Sequence, residues 1–220
     1  MKGKLIAIDG LDGSGKATQA DLFLEEMEKI GRKVMKVSFP DYDSPSAEPV
    51  KMYLHGELGK NPDDVNPYAA SSFFAVDRFI SYTRSWKEFY NSGGIIIADR
   101  YTTSNAIHQC SKLPKDKWDD FTKWLFEYEY EYMQIPEPDM VIYLRLSPEL
   151  SQFLIDLRNE GEEGKKDIHE VDLEYLKRSR MAADYCTEKF GWSVIECEEN
   201  GKVRSKEDIH ADLMKAVGEL

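Results

Sequence analysis

Positive charge, cysteine and long apolar runs are all scarce in this 220-residue chain, and each shortage closes off a class of function. Lys and Arg total 29 against 41 Asp and Glu, a net charge of −12, which argues against nucleic acid or an anionic membrane surface as the main partner. A small anionic ligand remains compatible, because loop N–H groups and a few Arg and Lys act locally. Three cysteines, Cys110, Cys186 and Cys197, are an odd number without metal-ligand spacing. They suit small buried free thiols in a reducing compartment rather than a disulfide framework. No apolar run is long enough to span a bilayer, and the chain goes straight into an apolar segment, so no signal peptide is expected and a cytoplasmic location follows. Repeats and linkers are also lacking, and with 41% hydrophobic content residues 1–220 are expected to form one domain.

Short apolar runs at Leu5–Ile8, Val34–Phe39, Ile95–Ala98, Met140–Leu146 and Trp192–Cys197 alternate with helical patterns, which predicts a parallel α/β sheet. Ser44-Pro45, Asn66-Pro67 and Ser147-Pro148 each place a capping residue before proline and mark helix starts. Two long helical patterns, Pro67 to Tyr90 and Trp118 to Tyr132, are rich in aromatics. Most of these rings are expected in the core, and part of the surface is expected to form a homodimer interface.

The run Gly10-Leu11-Asp12-Gly13-Ser14-Gly15-Lys16-Ala17-Thr18 lies between the first apolar run and an amphipathic helix. Its glycines permit a tight turn with inward N–H groups, the helix start adds a positive dipole end, and Lys16 can reach the outer phosphates of a nucleoside triphosphate. Ala17 replaces the Ser or Thr that usually ligates Mg²⁺, and Thr18 points about 100° away on a helix. Asp99 and Arg100 follow the third apolar run, so they are expected at the carboxyl end of the sheet beside this loop. Arg100 offers a fork for phosphate, and Asp99 a carboxylate that could hold a metal through water. Phe74 and Arg78 share a helix face, which suits either a base held by stacking and edge contact or ordinary packing. The polar stretch from Arg158 to Glu170, with Lys165 and Lys166, reads either as a solvated loop or as a lid over residues 157–170 that brings cations to the phosphates.

Together, Gly10 to Thr18, Phe39-Pro-Asp-Tyr42, Phe74-Ala-Val-Asp-Arg78, Asp99 to Ala106 and Asp167-Ile-His-Glu170 resemble the thymidylate kinases, in the family's order and over most of the chain. The resemblance implies a five-stranded parallel sheet with helices on both faces, a homodimer, Mg²⁺, and phosphoryl transfer from ATP to dTMP. It assigns Phe74 to stacking on thymine, Arg78 and Asn105 to contacts with the base, and Tyr42 and Arg100 to the acceptor phosphate. Asp12 would orient the acceptor sugar, phosphates or metal, and Glu170 would approach the metal or the sugar. With no arginine in the phosphate loop, Arg158 and Lys166 become the lid's catalytic cations. His108 and Gln109 complete the acceptor set, although His108 stands where the family usually has a tyrosine that crowds the sugar. Ile168 similarly replaces a frequent lid arginine.

An acceptor phosphate is already anionic at pH 7, so no general base is expected, and catalysis would rest on positioning and charge. A deoxynucleoside kinase would instead need a carboxylate base, for which Asp41 is available, and a kinase of another pyrimidine monophosphate also remains open. A regulatory nucleotide-binding protein with little turnover is the alternative outside enzymology, with Ala17 as its sign.

Overall fold

The computed structural model describes residues 2–158 and 173–218. Five parallel strands form the sheet, β1 (Lys4–Gly10), β2 (Val34–Ser38), β3 (Ile95–Asp99), β4 (Met140–Arg145) and β5 (Ser193–Glu196), in the order β2-β3-β1-β4-β5. The chain leaves β1 for one side of the sheet and later crosses to the other. That reversal opens a crevice beyond the carboxyl end of β1. A short antiparallel pair, β6 (Glu198–Glu199) and β7 (Lys202–Val203), follows β5 and was not anticipated from the sequence.

Alternation along β1 sends Ile6 and Ile8 to one face and Leu5 and Ala7 to the other. Against the first face pack α1 (Lys16–Lys29), through Ala20, Phe23 and Met27, and the C-terminal helix of residues 206–217, through Ile209 and Leu213. Full burial of a side chain such as Phe23 contributes roughly 1.5–3 kcal/mol. The opposite face carries Tyr82, Trp86, Tyr90, Tyr101 and Ile135.

Between β2 and β3 lie α2 (Glu48–Leu54), α3 (Pro67–Ser81) and α4 (Lys87–Asn91), the last two joined by a π-helical turn at Tyr82–Trp86. Asn66 caps α3, its Oδ1 accepting from the N–H groups of Tyr68 at 2.9 Å and Ala69 at 3.4 Å. After β3 come α5 (Thr102–Cys110) and α6 (Trp118–Phe126), and α6 widens into a second π-helical turn at Glu127–Tyr132. The remaining helices are α7 (Pro148–Arg158), α8 (Leu173–Phe190) and the C-terminal α9 (Lys206–Val217). Among the described residues, no helix is long and apolar enough to cross a membrane.

The wide turn after α6 carries Glu129 inward to Arg78 on α3. Arg78 Nε and Nη2 donate to the two carboxylate oxygens at 2.7 and 2.6 Å, and Thr102 Oγ1 donates to the same carboxylate at 2.9 Å. Both members of this forked pair are buried. Removing one partner strands a charge away from water, so Glu129→Ala should cost about 3–5 kcal/mol in urea unfolding. A loss below about 1 kcal/mol would show that the guanidinium had found another partner or reached solvent.

Candidate active site

The glycine-rich loop joins β1 to α1. At Gly10 a side chain has no room, since a Cβ would lie 2.7 Å from the Leu144 carbonyl oxygen. Gly15, with φ of 88°, begins α1 without any side-chain cap, and a Cβ there would enter open space. The first turn of α1 therefore has neither a capping side chain from Gly15 nor an acidic residue of its own, which favours an anion at this helix end. Lys16 is buried with its Nζ donating to the Leu11 carbonyl at 2.8 Å. Burial, and secondarily Arg100, lower its pKa from 10.5 to about 8, while Asp12, Asp99 and Asp9 pull the other way.

One buried residue that the sequence reading passed over organises this end of the sheet. Asp9, fully buried on β1, accepts from Gly10 N at 2.9 Å and from Thr103 Oγ1 at 2.6 Å, and the Ser104 hydroxyl lies 2.9 Å from both its oxygens. Arg100 Nη1 stands 3.9 Å from the same carboxylate, while Nη2 is bonded to Asp12. Arg100 has φ of 66°, a left-handed backbone that costs a non-glycine residue energy. Its N–H nevertheless bonds the Ile8 carbonyl at 3.0 Å, and the turn aims the guanidinium back at the loop. The signal for Asp9 was a carboxylate directly after four apolar strand residues, where only a functional or fully bonded acid is stable.

Loop, Arg100 and α5 enclose a cavity of about 640 Å³. Asp12, Gly13, Gly15, Lys16, Ala17 and Thr18 line one part of it, and Tyr42, Phe74, Asn105, His108 and Gln109 line another, with Asp99 and Arg100 between. Gly10, Leu11 and Ser14 are buried behind the loop rather than on the cavity wall. Gln109 is buried, and among the described residues neither its amide Nε2 nor its Oε1 has a hydrogen-bond partner, whereas Asn105 Nδ2 donates to the Ser71 carbonyl at 3.2 Å. His108 stacks against Tyr175 of α8, whose hydroxyl lies 3.3 Å from His108 Nδ1. Burial is the main cause that pushes the His108 pKa down to about 3, so its imidazole is neutral.

Two candidate residues lie off the cavity wall. Arg78 does not line it: its fork is held by Glu129, and Nη1 points to the Tyr101 carbonyl at 3.4 Å. Asp41, the candidate base for a hydroxyl acceptor, also stays off the cavity wall, its N–H bonded to Asp77 at 2.8 Å. Arg158, at the end of α7, does line the cavity, whereas Lys165, Lys166 and Glu170 lie outside the described residues. Among the described residues no group of three or more His, Cys, Asp or Glu is arranged to hold a metal. Asp12 and Asp99 are the carboxylates on the cavity wall, a donor set that fits a Mg²⁺ ion retaining water and bound chiefly through substrate phosphates.

A family model described as thymidylate kinase matches residues 8–209. A thymidylate kinase of Mycobacterium tuberculosis is 30% identical over 196 residues, covering 87% of this chain and 90% of that protein. A probable thymidylate kinase of Saccharolobus solfataricus is 31% identical over 180 residues, covering 80% and 84%. The crystal structure of thymidylate kinase from Ehrlichia chaffeensis superposes with a TM-score of 0.68 at 18% identity, over 99% of this chain and all of that one, a likeness of fold.

Since the Lys16 pKa of about 8 lies below the ordinary 10.5, the folded chain binds fewer protons than the unfolded one between those values, and this group makes stability rise with pH across that window. A bound polyphosphate draws the pKa back up. ATP binding at a pH of about 8.5 should therefore take up protons, visible as a buffer-dependent heat in titration calorimetry and lost in Lys16→Met. Equal heats in buffers of different ionisation enthalpy would show that the amine is already fully charged.

Proposed function

The chain belongs to the thymidylate kinase family, an ATP-dependent dTMP kinase by descent, and on that premise we propose how its site performs the transfer. The acceptor phosphate attacks the γ-phosphorus of ATP in line, and ADP leaves. With a second pKa of about 6 the acceptor is already a nucleophile at neutral pH, so no base is required.

Arg100 carries the reading. It stands between the loop that cradles the donor phosphates and the pocket of Phe74, Asn105 and Gln109, where its charge can serve both phosphates. Lys16 and the start of α1 hold the donor side, and Arg158 supplies a cation at the mouth. Asp12 and Asp99 are the residues to hold Mg²⁺, mostly through water, and when bound the ion would neutralise developing charge on the phosphates. On the acceptor side Phe74 stacks on the base, and the unpaired amide of Gln109 meets the base edge, which relieves a desolvation cost of about 1–3 kcal/mol. Tyr42 reaches the acceptor phosphate, and His108, neutral and braced by Tyr175, bounds the sugar.

The unit we envisage is the whole of residues 1–220, with a lid at about 157–170 bringing Lys166 and Glu170 to the phosphates and metal. Three buried free thiols suit the cytoplasm. Tyr68, Val76 and Phe79 are exposed within one arc of α3, a surface for a second copy of the chain. Val76→Glu should therefore convert a dimer to a monomer in sedimentation velocity, and a wild-type monomer would refute this assignment.

In kinetics, Arg100→Ala should lower turnover by about 10²–10³-fold, and Phe74→Ala should weaken dTMP binding by about 1–3 kcal/mol with ATP affinity unchanged. A screen of nucleoside monophosphates in ribo and deoxy pairs, with thymidine alongside, should give the fastest ATP consumption with dTMP. Faster turnover of thymidine than of dTMP would overturn the monophosphate acceptor.

A further inference from the structure

A second cavity, of about 320 Å³, lies where β4 and β5 begin, and it shares no lining residue with the nucleotide cavity. Four aromatic residues, Phe126, Tyr130, Phe190 and Trp192, are among those that line it. Phe126 stacks on Tyr130 with ring centres 5.5 Å apart and meets Phe190 edge-on at 5.1 Å, and Phe190 continues to Trp192 at 6.2 Å. Thr103, on the cavity wall, is bonded to the buried Asp9, and Asp139 on the rim accepts from Leu5 N at 2.8 Å and pairs with Lys4 at 3.0 Å.

The charges of this lining are one-sided. It contains two carboxylates, Glu137 and Asp139, and no Lys, Arg or His. Asp139 pairs with Lys4, whereas Glu137 makes no ion pair among the described residues. Aromatic rings attract a weakly hydrated cation, and an adjacent carboxylate balances its charge. An anion would meet Glu137 with no compensating cation, and a bare metal ion would find a single uncommitted carboxylate.

We propose that this cavity is a second ligand site that takes a compact organic ammonium ion, held by the Phe126, Tyr130, Phe190 and Trp192 rings and by Glu137. The site is separate from nucleotide binding and independent of the phosphoryl transfer itself. Choline and its neutral isostere 3,3-dimethylbutan-1-ol are the probes, titrated calorimetrically into the full chain saturated with a non-hydrolysable ATP analogue and dTMP.

Choline should bind saturably, with an affinity about tenfold above that of the neutral alcohol. Glu137→Gln, a change at an exposed rim position, and Trp192→Ala should each lower choline affinity by a similar factor, while kcat with ATP and dTMP stays at the wild-type value for Glu137→Gln. Absence of saturable choline binding to the nucleotide-saturated chain, equal binding of the alcohol, or an unchanged affinity in Glu137→Gln would each overturn the assignment.

Discussion

The buried carboxylate of Asp9 is the interaction on which the site depends. It lies on the central strand with no access to water, and among the described residues its partners are Gly10 N from the loop, Thr103 and Ser104 from α5, and the guanidinium of Arg100 nearby. A buried acid without such partners would cost several kcal/mol. Folding must therefore deliver the loop, the end of β3 and the start of α5 to one point. The same step sets the Arg100 guanidinium against Asp9 and Asp12.

That arrangement reconciles an acidic chain with an anionic substrate. The net charge of −12 is a property of the whole surface, whereas the cavity is governed by Lys16, Arg100, Arg158 and the start of α1. Close packing of the first two cations is itself unfavourable, and after burial their mutual repulsion is the next cause of the lowered Lys16 pKa. Asp9, Asp12 and Asp99 temper the repulsion and hold Arg100 in position. Phosphate oxygens are the natural replacement for part of that acidic company.

What the sequence made legible was whatever depends on local spacing. The glycine loop, the five strands, the Asn66 cap and the position of Arg100 at a strand end all follow from neighbours within a few residues. Phe74 and Arg78 shared a helix face as expected, yet the fate of Arg78 was decided by Glu129, 51 residues away and turned inward by a π-helical segment that no periodicity announced. Asp9 was hidden for a related reason, since two of its donors, Thr103 and Ser104, come from a segment more than 90 residues downstream. Local chemistry could nominate the residues of the site, and long-range bonding chose among them.

Every residue of α5 from Thr102 to Cys110 is buried, and the helix is bonded to Glu129 at its first residue, to Asp9 at its second and third, and to the Ser71 carbonyl through its fourth. Four consecutive side chains of α5 thus tie it to the turn after α6, to β1 and to α3, so a substitution at any one of them is felt by three other elements of the fold.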